Sequence, residues 1–375
     1  MRTAPRDSRI VFIDVARVLA TLMMLFGHTV DALLSAHYRQ TTAFDVWTFL
    51  RGLTPTTFTF VSGFALSLVS LHISTRESAE VAAYRRLRRF AFFLVLGYLA
   101  HYPWKNFAGL RAYTAADLQM FTAVDVLQCI AITLIVLQVL ALRVRRVGPF
   151  IAIAAALAIF FCWLTPLAWT HTVGLPLVVS AYFNPSTGSI FPLFPWFAYP
   201  ALGAAAGAWY LKTEGDSPGE RARKTLLPLG VALLAGAWLM RTMHWEPFGA
   251  VSLGSGRPSQ FLLQVGLDCV LLTLLAAIID LRPARIPVVE QLAGESLMIY
   301  YVHLGLVYGS PWNKGFRQYF GTSLSLSQLA LAVLFVWVTM IALGLWWSRF
   351  KRDQPRAAVR VRAITLGVMF VMLFV

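Results

Sequence analysis

Residues 9–35, RIVFIDVARVLATLMMLFGHTVDALLS, form an apolar run that is interrupted by four ionisable residues, Asp14, Arg17, His28 and Asp31. About 20 mostly apolar residues are enough for a helix to cross a bilayer. The run therefore predicts a transmembrane helix. Ionisable side chains are costly inside a membrane, so those found there are candidates for function.

The spacing within this helix places Arg17 and His28 on one face. They are 11 residues apart, about three turns at ~100° per residue, and at ~1.5 Å per residue they are separated by roughly 16 Å along the axis. Asp14 precedes Arg17 by three residues and can pair with it. Two interpretations remain open. Either an ion pair and a core histidine only stabilise packing, or the face carries a functional cation at one end and a functional imidazole at the other.

The composition places the chain among polytopic membrane proteins. Of 375 residues, 58% are hydrophobic and only 13% are charged, and the mean hydropathy is +0.67. The net charge of +15 comes from short loops, so it indicates contact with membrane lipid rather than nucleic acid. Three cysteines in apolar runs predict neither a disulfide framework nor a metal site. No cleavable signal peptide is evident.

Eleven apolar runs are long enough, or nearly long enough, to span a membrane. They lie near 10–35, 48–72, 89–104, 124–143, 147–167, 189–211, 225–243, 258–280, 288–309, 325–347 and 362–375. The N-terminus and every second loop are rich in arginine and lysine, whereas the loop 168–188 has neither. The positive-inside rule then predicts a cytoplasmic N-terminus and an external C-terminus.

The predicted architecture is an all-α, polytopic membrane helical bundle of about eleven transmembrane helices. We expect a single transmembrane domain over 1–375. A short basic cytoplasmic segment, 1–9, precedes the first span, and a basic cytoplasmic loop, 349–362, precedes the last.

Residues 84–90, YRRLRRF, concentrate four arginines on about two helical turns at the predicted cytoplasmic face. The positive-inside signal alone would account for them. The alternative is a phosphate clamp, because arginine recognises phosphate with planar, bidentate hydrogen bonds. A nucleotide-bearing donor that arrives from the cytoplasm would need such a clamp. Its members would be Arg85, Arg86, Arg88 and Arg89.

Residues 294–303, GESLMIYYVH, place Ser296, Tyr300 and His303 at i, i+4 and i+7. These positions form one polar stripe on an otherwise apolar helix. By the predicted orientation, His303 lies in the external half of the membrane, near the level of His28. The stripe is either an interhelical hydrogen-bond network or part of a functional site.

Four blocks of the sequence together resemble the catalytic domain of heparan-α-glucosaminide N-acetyltransferase and its bacterial relatives, within the wider transmembrane acyltransferases that include the type-three group. The first block contains the spacing of Arg17 and His28, which is also the pattern of the type-three enzymes. The blocks are IDVARVLATLMMLFGHTVDALL (13–34), VDVLQCIAITL (124–134), LFPWFAYPALGAAAG (193–207) and GESLMIYYVH (294–303).

The resemblance implies an all-helical protein that moves an acyl group from cytoplasmic acyl-CoA, most simply acetyl-CoA, to a sugar on the far side of the membrane. His28 would be the catalytic histidine and His37 the second choice, with Asp14 and His303 as further catalytic candidates. Arg17 and the four arginines of 84–90 would face the phosphates of the donor. Asp31, Ser296 and Tyr300 would contact the acceptor.

The predicted function is therefore an acyl-CoA-dependent acyltransferase of the bacterial inner membrane. It would modify a hydroxyl or amine of an envelope glycan or glycolipid, with no metal. A protein conduit would let the phosphates stay inside while the acyl group reaches His28, acting as general base or as an acylated nucleophile. The alternative is a non-catalytic transporter or exporter of an envelope precursor. An inactive accessory relative and a homodimer are also left open.

Overall fold

The structure, a computed structural model, describes residues 10–72, 76–101, 114–171, 174–248, 256–281, 286–310 and 313–371. The predicted basic N-terminus, 1–9, and the ends of two predicted spans, 102–104 and 372–375, lie outside the described residues. Within the described ranges the chain forms α-helices, short 3-10 turns and no strand. The predicted all-α class is confirmed.

In the described ranges, the first nine helices in chain order are α1 (Val11–Leu33), α2 (Thr42–Leu71), α3 (Arg76–Ala100), α4 (Ala115–Thr122), α5 (Val126–Arg143), α6 (Val147–Trp163), α7 (Thr165–His171), α8 (Leu177–Phe183) and α9 (Leu193–Trp196). The other eight helices of the described residues are α10 (Ala198–Lys212), α11 (Pro218–Thr242), α12 (Pro258–Leu281), α13 (Pro287–Gly294), α14 (Ser296–Val307), α15 (Phe316–Phe320), α16 (Leu326–Asp353) and α17 (Pro355–Val371).

Each of the eleven predicted runs overlaps at least one helix, but the count of eleven spans is not confirmed. In the described part of the chain, six helices are long and apolar enough to cross a membrane: α1, α2, α5, α11, α12 and α16. A seventh span is obtained if α6 and α7, which meet at 49°, count as one. The protein is a multi-pass integral membrane protein.

Besides the run 147–167, which bends between α6 and α7, two further predicted spans are interrupted. The run 189–211 contains α9 and α10, and the run 288–309 contains α13 and α14, which meet at Glu295. Proline explains part of the break in 189–211, because its ring removes a backbone donor and crowds the preceding turn. The predicted basic loop 349–362 is also largely helical, since α16 continues to Asp353 and α17 begins at Pro355.

The chain divides into two compact units. The described residues of the first unit are 10–58, 286–310 and 313–371, and those of the second are 59–72, 76–101, 114–171, 174–248 and 256–281. Helix α2 contributes its first half to one unit and its second half to the other. The expectation of a single domain stays a prediction.

In the first unit, α1 packs against α13, α14 and α16. Leu25 and Leu33 of α1, Ile299 of α14 and Val336 of α16 belong to one buried apolar cluster. The indole Nε1 of Trp337 donates a hydrogen bond to the Leu22 carbonyl at 2.9 Å, which ties α16 to α1 at mid-height. Inside a membrane such van der Waals packing and interhelical hydrogen bonds replace the hydrophobic effect as the force that joins helices.

In the second unit, α11 packs along α12, α6 along α10, and α3 along α5. The second half of α2 lies close to α10, because Gly63 leaves room for the Pro200 backbone and Gly203 leaves room for the Phe60 backbone. A Cβ at either glycine would overlap the opposing chain. Small residues thus allow the two helices to approach closely.

Candidate active site

The first unit brings two predicted site residues together. His28 of α1 and His303 of α14 form a hydrogen-bonded pair, with 3.3 Å between His28 Nδ1 and His303 Nε2. Their ring centroids are 5.0 Å apart and the rings are tilted by 55°. His303 is fully buried, whereas His28 is partly exposed. The inner member of the pair is therefore His303, and the accessible member is His28.

The hydrogen bonds assign the tautomers of the neutral pair. Nδ1 of His303 lies 3.0 Å from the Ile299 carbonyl oxygen. A carbonyl oxygen can only accept, so this nitrogen carries the proton and Nε2 of His303 has a lone pair. Nδ1 of His28 must then donate to it, which leaves the lone pair of His28 on Nε2. The pair thus presents a basic nitrogen on the more accessible ring.

Two tyrosines, Tyr300 of α14 and Tyr308 directly after it, lie beside the pair. The Tyr300 ring lies 5.7 Å from the His303 ring, and the Tyr308 ring lies 5.8 Å from the His28 ring. The Tyr308 hydroxyl donates a long hydrogen bond, 3.4 Å, to the His28 carbonyl. The exposed guanidinium of Arg317 lies over the Tyr308 ring at 5.8 Å. The sequence predicts Tyr300 as an acceptor contact, and in the structure it reaches the pair through His303.

Asp31, one turn beyond His28, is held by a cation from α2. Its two carboxylate oxygens accept from Nη1 of Arg51 at 2.9 Å and from Nη2 at 2.5 Å. The Arg51 side chain also lies against Gly27, so it passes beside the residue that precedes His28. Asp31 therefore orients an arginine next to the histidine pair.

The end of α1 is closed by Arg39, which follows in a 3-10 turn. Its guanidinium donates to the carbonyls of Val30, Asp31 and Leu34 at 3.0–3.2 Å. The last carbonyls of a helix have no partner inside the helix. A cation at this position donates hydrogen bonds to them and interacts favourably with the negative end of the helix dipole. This cap stabilises the last turn of α1, which carries Asp31 one turn beyond His28.

Four other predicted residues of the first unit differ from the histidine pair in position or in exposure. His37 is exposed and packs against the Tyr38 ring at 5.2 Å. Asp14 and Arg17 lie in the other half of α1, roughly 16 to 21 Å from His28 at ~1.5 Å per residue. Ser296 begins α14, about two turns or roughly 10 Å before His303 by the same rise. Their predicted roles stay predictions.

The four arginines of 84–90 belong to α3 in the second unit, and their surroundings differ. Nε of Arg86 donates to Oε1 of Gln138 at 2.6 Å. The guanidinium of Arg89 lies over the Phe93 ring at 5.4 Å. Arg85 and Arg88 are exposed. Arg86 alone of the four is partly buried, and it is directed toward α5.

Sequence reasoning missed Arg51, Tyr308, Arg39 and Arg317. Arg51 had a usable signal, because it is an arginine near the start of an otherwise apolar run, as Arg17 is in the first run. Tyr308 lies one residue beyond the end of α14 and off the face of the polar stripe at 296, 300 and 303, so the stripe gave no signal for it. Arg39 and Arg317 lie in short connecting segments, where nothing in the pattern marks them.

The fold and this site define a class: a multi-pass helical membrane protein that holds a titratable histidine pair among its helices. The sequence profile of the family described as heparan-alpha-glucosaminide N-acetyltransferase, catalytic, matches residues 9–246. This is more than half of the chain, and the protein belongs to that family. The search of curated proteins gave no match. The matched region includes His28 and Arg51 and ends before His303.

Proposed function

We propose that this protein transfers an acetyl group from cytoplasmic acetyl-CoA to a hydroxyl or amine of an envelope carbohydrate, with His28 as the general base. Membership of the family supports a membrane acetyltransferase. The observation that carries the assignment to His28 is its bond to His303, which directs the proton to Nδ1 and the lone pair to Nε2.

The chemical step uses that lone pair. As the acceptor oxygen or nitrogen attacks the thioester carbon, Nε2 of His28 takes its proton, and the new C–O or C–N bond forms. The C–S bond then breaks, and the coenzyme thiolate receives the proton back from His28. Direct attack by Nε2 on the thioester would give an acyl-histidine instead. To distinguish the two routes, the enzyme is exposed to radiolabelled acetyl-CoA without acceptor and then denatured rapidly. Label that stays on the protein indicates an acyl-histidine, and unlabelled protein indicates general-base catalysis.

The two substrates would approach from opposite ends. The donor carries phosphates, and Arg17 with the arginines of α3 remain the proposed contacts for them, since guanidinium groups pair with phosphate. The acceptor would meet the external end of α1, near Tyr308 and the Asp31–Arg51 pair. A conduit between the two ends and a bacterial inner-membrane location are parts of the same proposal.

The test compares two histidines at the same end of α1. In proteoliposomes loaded with a carbohydrate acceptor, His28→Ala should lower acetyl transfer by about 10²- to 10⁴-fold, the usual contribution of a positioned base. His37→Ala is the matched comparison, because His37 is an exposed histidine nearby. Near-normal turnover of the His28 variant, or a larger loss in the His37 variant, would contradict the assignment. Movement of the acceptor across the membrane without acetylation would favour the exporter.

A further inference from the structure

A cavity of about 200 Å³ lies in the second unit and is lined by residues from the end of α2, the first half of α3 and the end of α5. Its polar lining consists of Ser70, Arg86, Gln138 and Arg145. The other lining residues are alanine and leucine. We call it the Arg86–Arg145 cavity.

Gln138 organises the wall of this cavity. It is 1% exposed, and its Oε1 accepts from Ser70 Oγ at 3.1 Å and from Arg86 Nε at 2.6 Å. This arrangement uses one of the five N–H donors of the Arg86 guanidinium and holds its plane at the cavity wall. Arginine loses little further freedom when it binds a ligand from a position that is already fixed.

The charged side chains among the described lining residues of the cavity are both cationic. Arg86 and Arg145 both line it, and none of the described lining residues is acidic. Two guanidinium groups in a partly enclosed space are stabilised by an anion that accepts several hydrogen bonds at once. A phosphate group has this chemistry, and it is small enough to enter the space.

The positive-inside rule does not account for these features. That rule requires only that cytoplasmic loops hold more arginine and lysine than external loops do. It gives no reason for a buried glutamine to hold Arg86 beside a cavity that Arg145 also lines. The cavity therefore distinguishes Arg86 from Arg85 and Arg88, which are exposed on the same helix.

We propose that the Arg86–Arg145 cavity is a phosphate-binding site. If the proposed function holds, on which this part of the inference rests, its ligand is a phosphate of the acetyl-CoA donor. The headgroup phosphate of an anionic phospholipid has the same chemistry, and the experiment separates the two sources.

The experiment measures binding of adenosine 3′,5′-bisphosphate by calorimetry to the full-length protein in nanodiscs of phosphatidylcholine. Arg145→Gln and Arg86→Gln should each weaken binding by about tenfold or more, because each removes charge-assisted hydrogen bonds. Arg146→Gln is the matched control. Arg146 is the next residue, is exposed and does not line the cavity, so its loss should change the affinity by less than about twofold.

The second arm tests the lipid. If the nucleotide does not bind but native mass spectrometry finds phosphatidylglycerol retained by the wild type and lost from Arg145→Gln, the phosphate site stands with a lipid as its ligand. If neither ligand depends on Arg86 or Arg145, or if Arg146→Gln weakens binding equally, the inference is overturned. Arg145 is exposed, so its replacement keeps the test valid even if Arg86→Gln fails to fold.

Failure of this inference is separable from failure of the proposed function. The binding measurement requires no turnover. Acetyl transfer by the wild type from acetyl-pantetheine, which has no nucleotide, requires no phosphate site. Transfer without binding of either ligand that depends on Arg86 or Arg145 would overturn only the cavity assignment, and binding without transfer would contradict only the acetyltransferase.

Discussion

His28 and His303 are 275 residues apart in the chain, yet one hydrogen bond joins them. At the scale of single residues, the important feature is the order of donors and acceptors. The Ile299 carbonyl orients His303, and His303 orients His28. His303 is thus a positioning residue in the proposed reaction, and its contribution should depend on whether its replacement can still accept a hydrogen bond.

Replacement of His303 tests that dependence. His303→Leu leaves the Nδ1–H of His28 without an acceptor, which typically costs ~1–3 kcal/mol, so kcat should fall by roughly 5- to 150-fold. His303→Gln can present a carbonyl oxygen to the same N–H and should recover part of the loss. Both variants are assayed for acetyl transfer after gel filtration has shown them to be folded. Equal losses in both would mean that His303 only fills space.

At the scale of elements, two buried features decide how helices meet. One is the contact of α2 with α10 through Gly63 and Gly203. The other is the junction of α13 and α14, where the buried carboxylate of Glu295 forms an ion pair with Lys351 of α16. Neither contact involves the histidine pair, so changes here should affect stability before they affect chemistry.

The glycine contact predicts a large effect from one methyl group. Gly63→Ala places a Cβ inside the Pro200 backbone, so the helices must move apart at a cost of about 1–3 kcal/mol. Gly148→Ala is the control, because a Cβ at this helical glycine would meet nothing within 4 Å. Thermal unfolding in detergent should show a lower midpoint only for Gly63→Ala. An unchanged midpoint would contradict the close packing.

The ion pair at Glu295 predicts that replacing Lys351 lowers stability more than replacing its exposed neighbour Arg352. Lys351→Met would leave a carboxylate that is only 7% exposed without its cation, and breaking such a buried pair typically costs about 3–5 kcal/mol. Arg352→Met removes an equal charge whose side chain is 64% exposed, so stability should hardly change. The two midpoints of unfolding are compared in the same detergent. Similar midpoints would show that water reaches Glu295.

At the scale of the whole molecule, the all-α fold and the family are established, and the orientation in the membrane is a prediction. The alternation of basic and non-basic loops predicts that the loop before α11 is cytoplasmic and that the loop before α8 is external. The proposed function depends on this orientation, because the donor is cytoplasmic and the acceptor is not.

Labelling with a membrane-impermeant maleimide checks the orientation. The three native cysteines are buried, so they are shielded from the reagent, and they are replaced by alanine to remove any background labelling. In intact spheroplasts, Leu175→Cys should react, whereas Glu214→Cys should react only after the membrane is opened; both positions are exposed. The reverse pattern would invert the topology and remove the proposed roles of the cytoplasmic arginines.

The sequence by itself determined the class of the protein. Hydropathy and the positions of arginine and lysine are local properties, so they identified the apolar runs, the all-α class and His28 as an unusual residue within a span. Similarity of short blocks, also a local property, led to the family. Local patterns gave a partial signal for the break in 189–211, because this run contains three prolines. They did not locate the break in 288–309, because a span and a broken span can have the same hydropathy.

Only the tertiary structure decided which residues share a site. Residues 28, 31, 51, 303 and 308 come together because α1, α2 and α14 pack in one unit, and packing depends on shape complementarity between segments that are distant in the chain. The same reason distinguishes Arg86, which bonds to Gln138 of α5, from the three other arginines of 84–90. A titratable group can be identified from its own position, but its partner is set by the helix that lies against it.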